Sequence, residues 1–228
     1  MSKKKLSFNG DLIPVLDLSV DELFNTTRAV RKRLDFEKTV EIDVIRECLQ
    51  LALQAPNGSN SQNWHFLIVT EFSKKQKIAK YYRQVWEEYS KSPRAADRLH
   101  QEDPVLAPVQ KRIFSSAEYL AQNLEKTPIL FIPCIEGRVE QLTGPIAGFY
   151  GSIIPAVWSF MLAARSRGLG TCWTTFHLNY EKEVAEILDI PFEKITQIAL
   201  IPVAYTIGTK FKSAVRKPLK EVLHLESW

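Results

Sequence analysis

The chain has 228 residues, 45% of them hydrophobic, and a formal net charge of +4. That is enough apolar material for one sizeable core, and the charge is too mild and dispersed to read as a nucleic-acid surface. No window is expected to supply the roughly 18 apolar residues of a membrane span, and the basic opening Met1 to Lys5 lacks the apolar stretch of a secretory signal, so neither membrane nor nucleic acid is an expected partner.

Residues 1–18 show no clear period and read as an N-terminal arm. Ser19 ahead of Val20-Asp21-Glu22-Leu23 marks a helix start with acids in its first turn. Residues 42–55 set Val44, Ile45, Cys48, Leu49, Ala52 and Ala55 at helical spacing, and Pro56-Asn57-Gly58-Ser59-Asn60 ends that helix. Residues 64–70 read as a strand and 73–90 as an amphipathic helix whose Lys74, Lys75, Lys77 and Lys80 form a solvated face. Residues 90–109 carry Pro93, Pro104 and Pro108 among charges. They form the longest candidate loop, and long loops in compact enzymes are often lids. Residues 110–125 return to helix. Residues 129–135 read as a buried strand in which Pro133 marks an edge or a bulge.

Residues 147–167 are apolar on nearly every face, as in a helix buried all round. Pro155 belongs to its first turn, behind Ser152 as cap, or to a kink, and Gly168 and Gly170 stop it. A short helix over 180–188, a long apolar strand over 195–207 and a polar tail over 210–228 complete the chain. Helices and strands mix without a strict βαβ repeat, so the fold class is α+β, in one domain over 1–228. Cys48, Cys134 and Cys172 form no CxxC pair, and the four histidines show no metal-ligand spacing. A reducing, cytoplasmic setting is expected and no metal.

Four segments hold the polar chemistry. Arg28-Ala29-Val30-Arg31-Lys32-Arg33 puts four cations in six residues at a helix exit. It reads as a solvated basic turn or as an anion site, since Arg forks bind phosphate bidentately and Lys supplies a point charge. The loop 55–64 crowds hydrogen-bonding groups between two hydrophobic elements, which suits a polar heterocycle. In Gly168-Leu169-Gly170-Thr171-Cys172-Trp173-Thr174, glycines stop a helix and would let backbone approach a flat ring, though this is no GxGxxG fingerprint. Arg216-Lys217-Pro218-Leu219 lies in the tail. No Walker A sequence, GxSxG elbow or kinase signature occurs. No side chain stands out as nucleophile or acid–base pair, as expected where a cofactor carries the reaction.

In this order Thr27-Arg28-Ala29-Val30-Arg31, the 55–64 loop, Ala163-Ala164-Arg165-Ser166-Arg167-Gly168-Leu169-Gly170-Thr171 and Arg216-Lys217-Pro218-Leu219 resemble the FMN-dependent nitroreductase family, over about residues 22–228. The resemblance implies an α+β sandwich: a central, mostly antiparallel sheet flanked by helices, in an intertwined homodimer embraced by the tail 210–228. It implies an FMN at each of two interface sites. Arg28, Arg31 and Lys32, with Ala29 and Val30 between them, would meet the phosphate and the N1–C2=O edge of the ring. Pro56, Gly58 and Asn60 would come from the opposite subunit, with Asn57, Ser59 and Gln62 as further cofactor-binding residues. Trp173 and Thr174 would lie near the reactive edge beside Cys172, and Arg216 would clamp the phosphate. The family often has Ser where Ala29 or Val30 stands and an aromatic where Leu34 stands.

The implied activity is ping-pong: NADPH or NADH passes hydride to flavin N5 and leaves, and a nitroaromatic, quinone or enone takes its place. Residues 90–125 would form the variable cap that selects the acceptor. Alternatives are reductive dehalogenation or flavin breakdown on the same fold, a non-catalytic FMN-binding redox sensor, and a structural dimer without ligand.

Overall fold

The computed structural model describes residues 2–6 and 12–228. Where an arm was expected, β1 (Ser2–Leu6) pairs antiparallel with β2 (Leu12–Leu16). The first is a lysine run and the second an unbroken apolar run around Pro14, so neither shows the alternation that announces a strand. Ser19 then caps α1 (Val20–Thr26) with a capping box: its hydroxyl accepts from the Glu22 amide, and the Glu22 carboxylate accepts from the Ser19 amide.

One antiparallel sheet organises the rest. Its order is β3 (Trp64–Val69), β4 (Ile129–Glu136), β7 (Ile201–Tyr205), β5 (Leu169–Thr171), with β6 (Ile195–Gln197) paired to the far end of β4. Trp64 lies opposite Ile135, Ile129 opposite Val203, and Thr171 opposite Val203 on its other side. Residues 129–135 of β4 are all buried because helices cover both faces. Successive side chains alternate between two cores, as the two-residue strand period requires. Ile129, Phe131 and Ile135 meet α2 (Ile42–Ala52) and α6 (Ile154–Ser166), while Leu130, Ile132 and Cys134 meet α3 (Phe72–Lys91), α4 (Leu106–Asn123) and α7 (Glu181–Leu188). Phe131 and Phe160 pack tilted against each other at 4.4 Å between ring centroids in the first core. Burying each ring contributes about 1.5–3 kcal/mol.

The apolar run expected as one helix over 147–167 divides into α5 (Ile146–Gly151) and α6, with Pro155 in the first turn of α6. Ile153, not Ser152, occupies the α6 cap position. By length and composition alone Ile146–Ser166 is apolar enough to cross a membrane, at mean hydropathy 1.6, contrary to the sequence expectation. It breaks at residues 152–153, and Val157, Phe160 and Met161 go into the first core. The other side of this run is bare: Ile146 is 53%, Ile154 42% and Trp158 39% exposed.

The strand expected over 195–207 is interrupted at residues 198–200, where Leu200 leaves the ladder and exchanges backbone hydrogen bonds with Thr174. Pro133, on the facing stretch of the central strand β4, has no N–H to offer, so it marks a bulge rather than an edge. The 90–109 loop shrinks to residues 92–105, because α3 continues through Lys91 and α4 begins at Leu106. Within that connector Ala95 and Ala96 are buried, Arg98 donates to the Lys91 and Ser92 carbonyls, and the Asp103 carboxylate accepts from the Val105 and Leu106 amides. Lys75 is not on a solvated face. It is buried, and its ammonium donates to the Thr127 carbonyl at 2.6 Å.

Candidate functional site

The basic segment leaves α1 and runs along the outer edge of β5. The Val30 amide donates to the Thr171 carbonyl at 2.8 Å, Ala29 bridges Thr171, and Leu34 bridges Thr206. This fixes which side chains face inward. Val30 and Leu34 are buried over Gly170, where a Cβ would stand 3.0 Å from each and 2.7 Å from the Thr206 methyl. The glycine therefore serves close packing of protein on protein, not the approach of a ring. Gly168, at φ +77°, does stop the helix. The Val30 side chain and amide are committed to the fold, and Cys172 is fully buried. Neither side chain is open to a ligand, and with its amide engaged Val30 can offer only its backbone carbonyl.

The cations splay in different directions. Lys32 donates to the Ser115 hydroxyl at 2.8 Å and Arg31 to the Ser116 hydroxyl at 3.3 Å, both on α4. Arg28 donates to the Lys212 carbonyl at 2.9 Å. Arg33 donates to the carbonyls of Ile207, Gly208 and Lys210 and stacks on Phe211, so it anchors the start of the tail. Among the described residues none of the four meets a carboxylate within salt-bridge distance. The strip therefore carries uncompensated positive charge. Behind it Tyr82 is buried beside Cys172, Thr174 and Arg31, and burial pushes its phenol pKa up. Thr174 is half-buried with its hydroxyl donating to the Leu200 carbonyl at 2.7 Å, and Trp173 is half-buried beside it.

The 56–62 loop lies elsewhere. The Gly58 amide donates to the Ser152 hydroxyl, the Trp64 indole donates to the Ser152 carbonyl at 2.6 Å, and the Asn57 side chain accepts from the Gln62 amide. Ser59, Asn60 and Gln62 all sit in the left-handed region, at φ +54°, +50° and +50°. Each such residue costs on the order of 1 kcal/mol or more, and strain of this kind gathers at functional sites. Pro56, Gly58, Ser59, Asn60 and Gln62 are exposed and Asn57 is half-buried. Arg216 is exposed in the tail, donating to its neighbour Val215.

The predicted site thus falls into two halves at opposite edges of the sheet. The loop leads into β3, and the cation strip flanks β5. Four strand spacings separate them, about 19 Å across the sheet, and the registers offset them by a further six residues, about 20 Å along it. One chain does not bring the halves together. Ser115, Ser116 and Ser152 were not picked out from sequence as site residues, and Arg33, counted with the candidate anion segment, holds the tail instead. The α4 serines lie one turn beyond the adjacent pair Lys111-Arg112, a spacing that would have placed them on one face.

The nitroreductase family profile matches residues 25–205. The chain belongs to the nitroreductase family. Curated relatives include a 4-nitrobenzoate reductase of Nocardioides sp. (strain LMS-CY), 30% identical with 78% of each chain covered. Another is a 5,6-dimethylbenzimidazole synthase of Rhodospirillum rubrum, 28% identical with 76% of each covered. Among solved structures, the FMN and NADPH-dependent nitroreductase NfnB from Sphigopyxis sp. strain HMH superposes with TM-score 0.68 at 18% identity, covering 92% of this chain and 100% of that one. An oxidized iodotyrosine deiodinase bound to FMN and 3-iodo-L-tyrosine gives TM-score 0.66 at 21% identity, covering 88% of this chain and 96% of that one. At such identities these likenesses describe the fold. The nitroreductase fold here is the antiparallel sheet between two helical layers described above.

Proposed function

We propose that this nitroreductase-family chain is an FMN-dependent NAD(P)H oxidoreductase that works as a homodimer and reduces nitroaromatics, quinones or enones. The observation that carries the reading is the division of the site: uncompensated cations at one sheet edge and a strained polar loop at the other, with a bare apolar surface beside the loop. A second copy related by a twofold axis brings the loop of one subunit to the cations of the other. Ile146, Ile154 and Trp158 then find cover, as do the exposed Leu219, Val222, Leu223, Leu225 and Trp228 of the tail. The interface would exceed about 2,000 Å².

The residues fit a flavin mononucleotide. Phosphate and the electron-rich ring edge both call for cations without competing carboxylates, and Arg28, Arg31 and Lys32 supply them. Exposed Asn60 and Gln62 side chains supply donors and acceptors for a heterocycle. The half-buried Trp173 packs against the first core, and Thr174 lies beside it. When bound, the flavin supplies the two-electron hydride chemistry. The protein's share is to hold the ring, set its charge environment and exclude water. A cytoplasmic setting accords with three free, buried cysteines.

The test is a visible spectrum of the purified protein with FMN, sedimentation at micromolar concentration, and NADPH and NADH oxidation with and without a nitroaromatic. Flavin absorbance, a dimer and acceptor-dependent turnover are expected. A monomer that binds FMN refutes the shared site. Bound FMN without NAD(P)H oxidation favours a non-catalytic module. The synthase and deiodinase relatives make flavin breakdown under oxygen, or dehalogenation of an iodoaromatic, the second reaction to assay.

A further inference from the structure

The α4 face that touches the cation strip carries two more cations. Lys111 and Arg112 stand one helical turn before Ser115 and Ser116, the partners of Lys32 and Arg31. Four residues of helix rise about 6 Å, so their head groups extend the positive surface outward from the strip along α4.

A solvated helix face would ordinarily pair such cations with acids three or four residues away. Here those positions hold Ala107, Pro108, Val109, Phe114, Ser115 and Ser116. Both cations also lie in the N-terminal half of α4, where the helix dipole gives a positive charge nothing. Both are exposed, and among the described residues neither makes a hydrogen bond or an ion pair. Glu118, the acid farther along this helix, has no ion pair with any of them among the described residues. Arg31, Lys32, Lys111 and Arg112 thus form one basic patch on and against α4, with no ion-paired acid among the described residues.

We propose that Lys111 and Arg112 form an oxyanion subsite at the mouth of the flavin site, selecting substrates that carry a carboxylate or phosphate. The proposal rests on the flavoenzyme reading above. Two sources present this chemistry: a carboxylate on the acceptor, and the extra phosphate that distinguishes NADPH from NADH.

The experiment compares wild type with Lys111→Gln/Arg112→Gln, each reconstituted with FMN. One arm measures kcat/KM for 4-nitrobenzoate against uncharged 4-nitrobenzamide, and the other NADPH against NADH. Calorimetry of benzoate and benzamide binding gives a readout without turnover. If the anion belongs to the acceptor, the 4-nitrobenzoate to 4-nitrobenzamide ratio falls about tenfold and benzoate affinity falls with it. If it belongs to the donor, the NADPH to NADH ratio falls instead. In wild type, the affected preference also declines with added NaCl. Both ratios and benzoate affinity staying within about twofold of wild type, with flavin bound, overturns the subsite. A protein without flavin absorbance and without NAD(P)H oxidation fails earlier. It refutes the flavoenzyme reading and the subsite with it, and the spectrum tells the two failures apart.

Discussion

The Gly58 amide donates to the Ser152 hydroxyl at 3.1 Å, and a Cβ at position 58 would stand 2.9 Å from that same oxygen. The Ser152 hydroxyl also donates to the Gly148 carbonyl, so it cannot retreat without loss. One contact therefore ties the strained loop to the junction of α5 and α6. Gly58→Ala is expected to cost about 1–3 kcal/mol by overpacking and to weaken FMN binding. A denaturant midpoint and a flavin titration read the two effects. Lost stability with unchanged FMN affinity would take this loop out of the site.

The cation strip should divide its labour. A positive charge beside the N1–C2=O edge favours the negatively charged reduced flavin, as a cation lowers a neighbouring acid's pKa. At about 1–3 kcal/mol for such a contact, Lys32→Met or Arg31→Met should lower the two-electron potential by roughly 20–60 mV. Arg216→Met should chiefly weaken FMN retention. Redox titration beside binding titration separates them. If neither Lys32→Met nor Arg31→Met moves the potential, the ring-edge charge lies elsewhere.

Glu47 and Arg167 form an ion pair at 3.6 Å with side chains only 6% and 4% exposed. Removing one partner of such a pair leaves a buried charge uncompensated, which costs on the order of 3–5 kcal/mol. Glu47→Ala should show this loss in urea unfolding. Combining Glu47→Leu with Arg167→Met should recover a large part of it, and simple additivity of the single losses would count against coupling.

His177 is fully buried, and neither ring nitrogen has a hydrogen-bond partner among the described residues. Burial pushes its pKa from 6.5 down to about 3. The unfolded chain therefore takes up this proton at a higher pH than the folded one. The stability it confers is complete above pH 6.5 and drains away as pH falls toward about 3. Within that window the slope approaches about 1.4 kcal/mol per pH unit. Urea midpoints at pH 7.5 and 5.0 should show this fall, and His177→Leu should flatten it. An equal fall in both proteins would assign it to other groups.

Much of the architecture was legible because its signals are local. The Ser19 cap, the periodicity of 42–55 and the apolar run of 129–135 each declare an element within a few residues. What was hidden depends on distant contacts. The break at residues 198–200 needs Thr174 and Pro133 across the sheet, and the role of Gly170 needs Val30 and Leu34 above it. Burial of Lys75 needs the Thr127 and Pro128 carbonyls that lead into β4. The cations and the polar loop could be found as segments, but a sequence gives no measure of how far apart a sheet will hold them. The split apolar run 146–166 shows that hydropathy records burial without saying what does the burying.

The width of that sheet has a genetic counterpart. With one half-site on each edge, a lesion at Lys32 and a lesion at Gly58 damage different halves. In a mixed dimer both lesions then meet in one centre, while the other is assembled entirely from undamaged halves. Co-expressing Lys32→Met and Gly58→Ala subunits at equal levels should therefore return more activity than either parent shows alone, with random pairing leaving about a quarter of the centres intact. Two copies of the chain would be alleles that complement one another, each carrying the half its partner lacks.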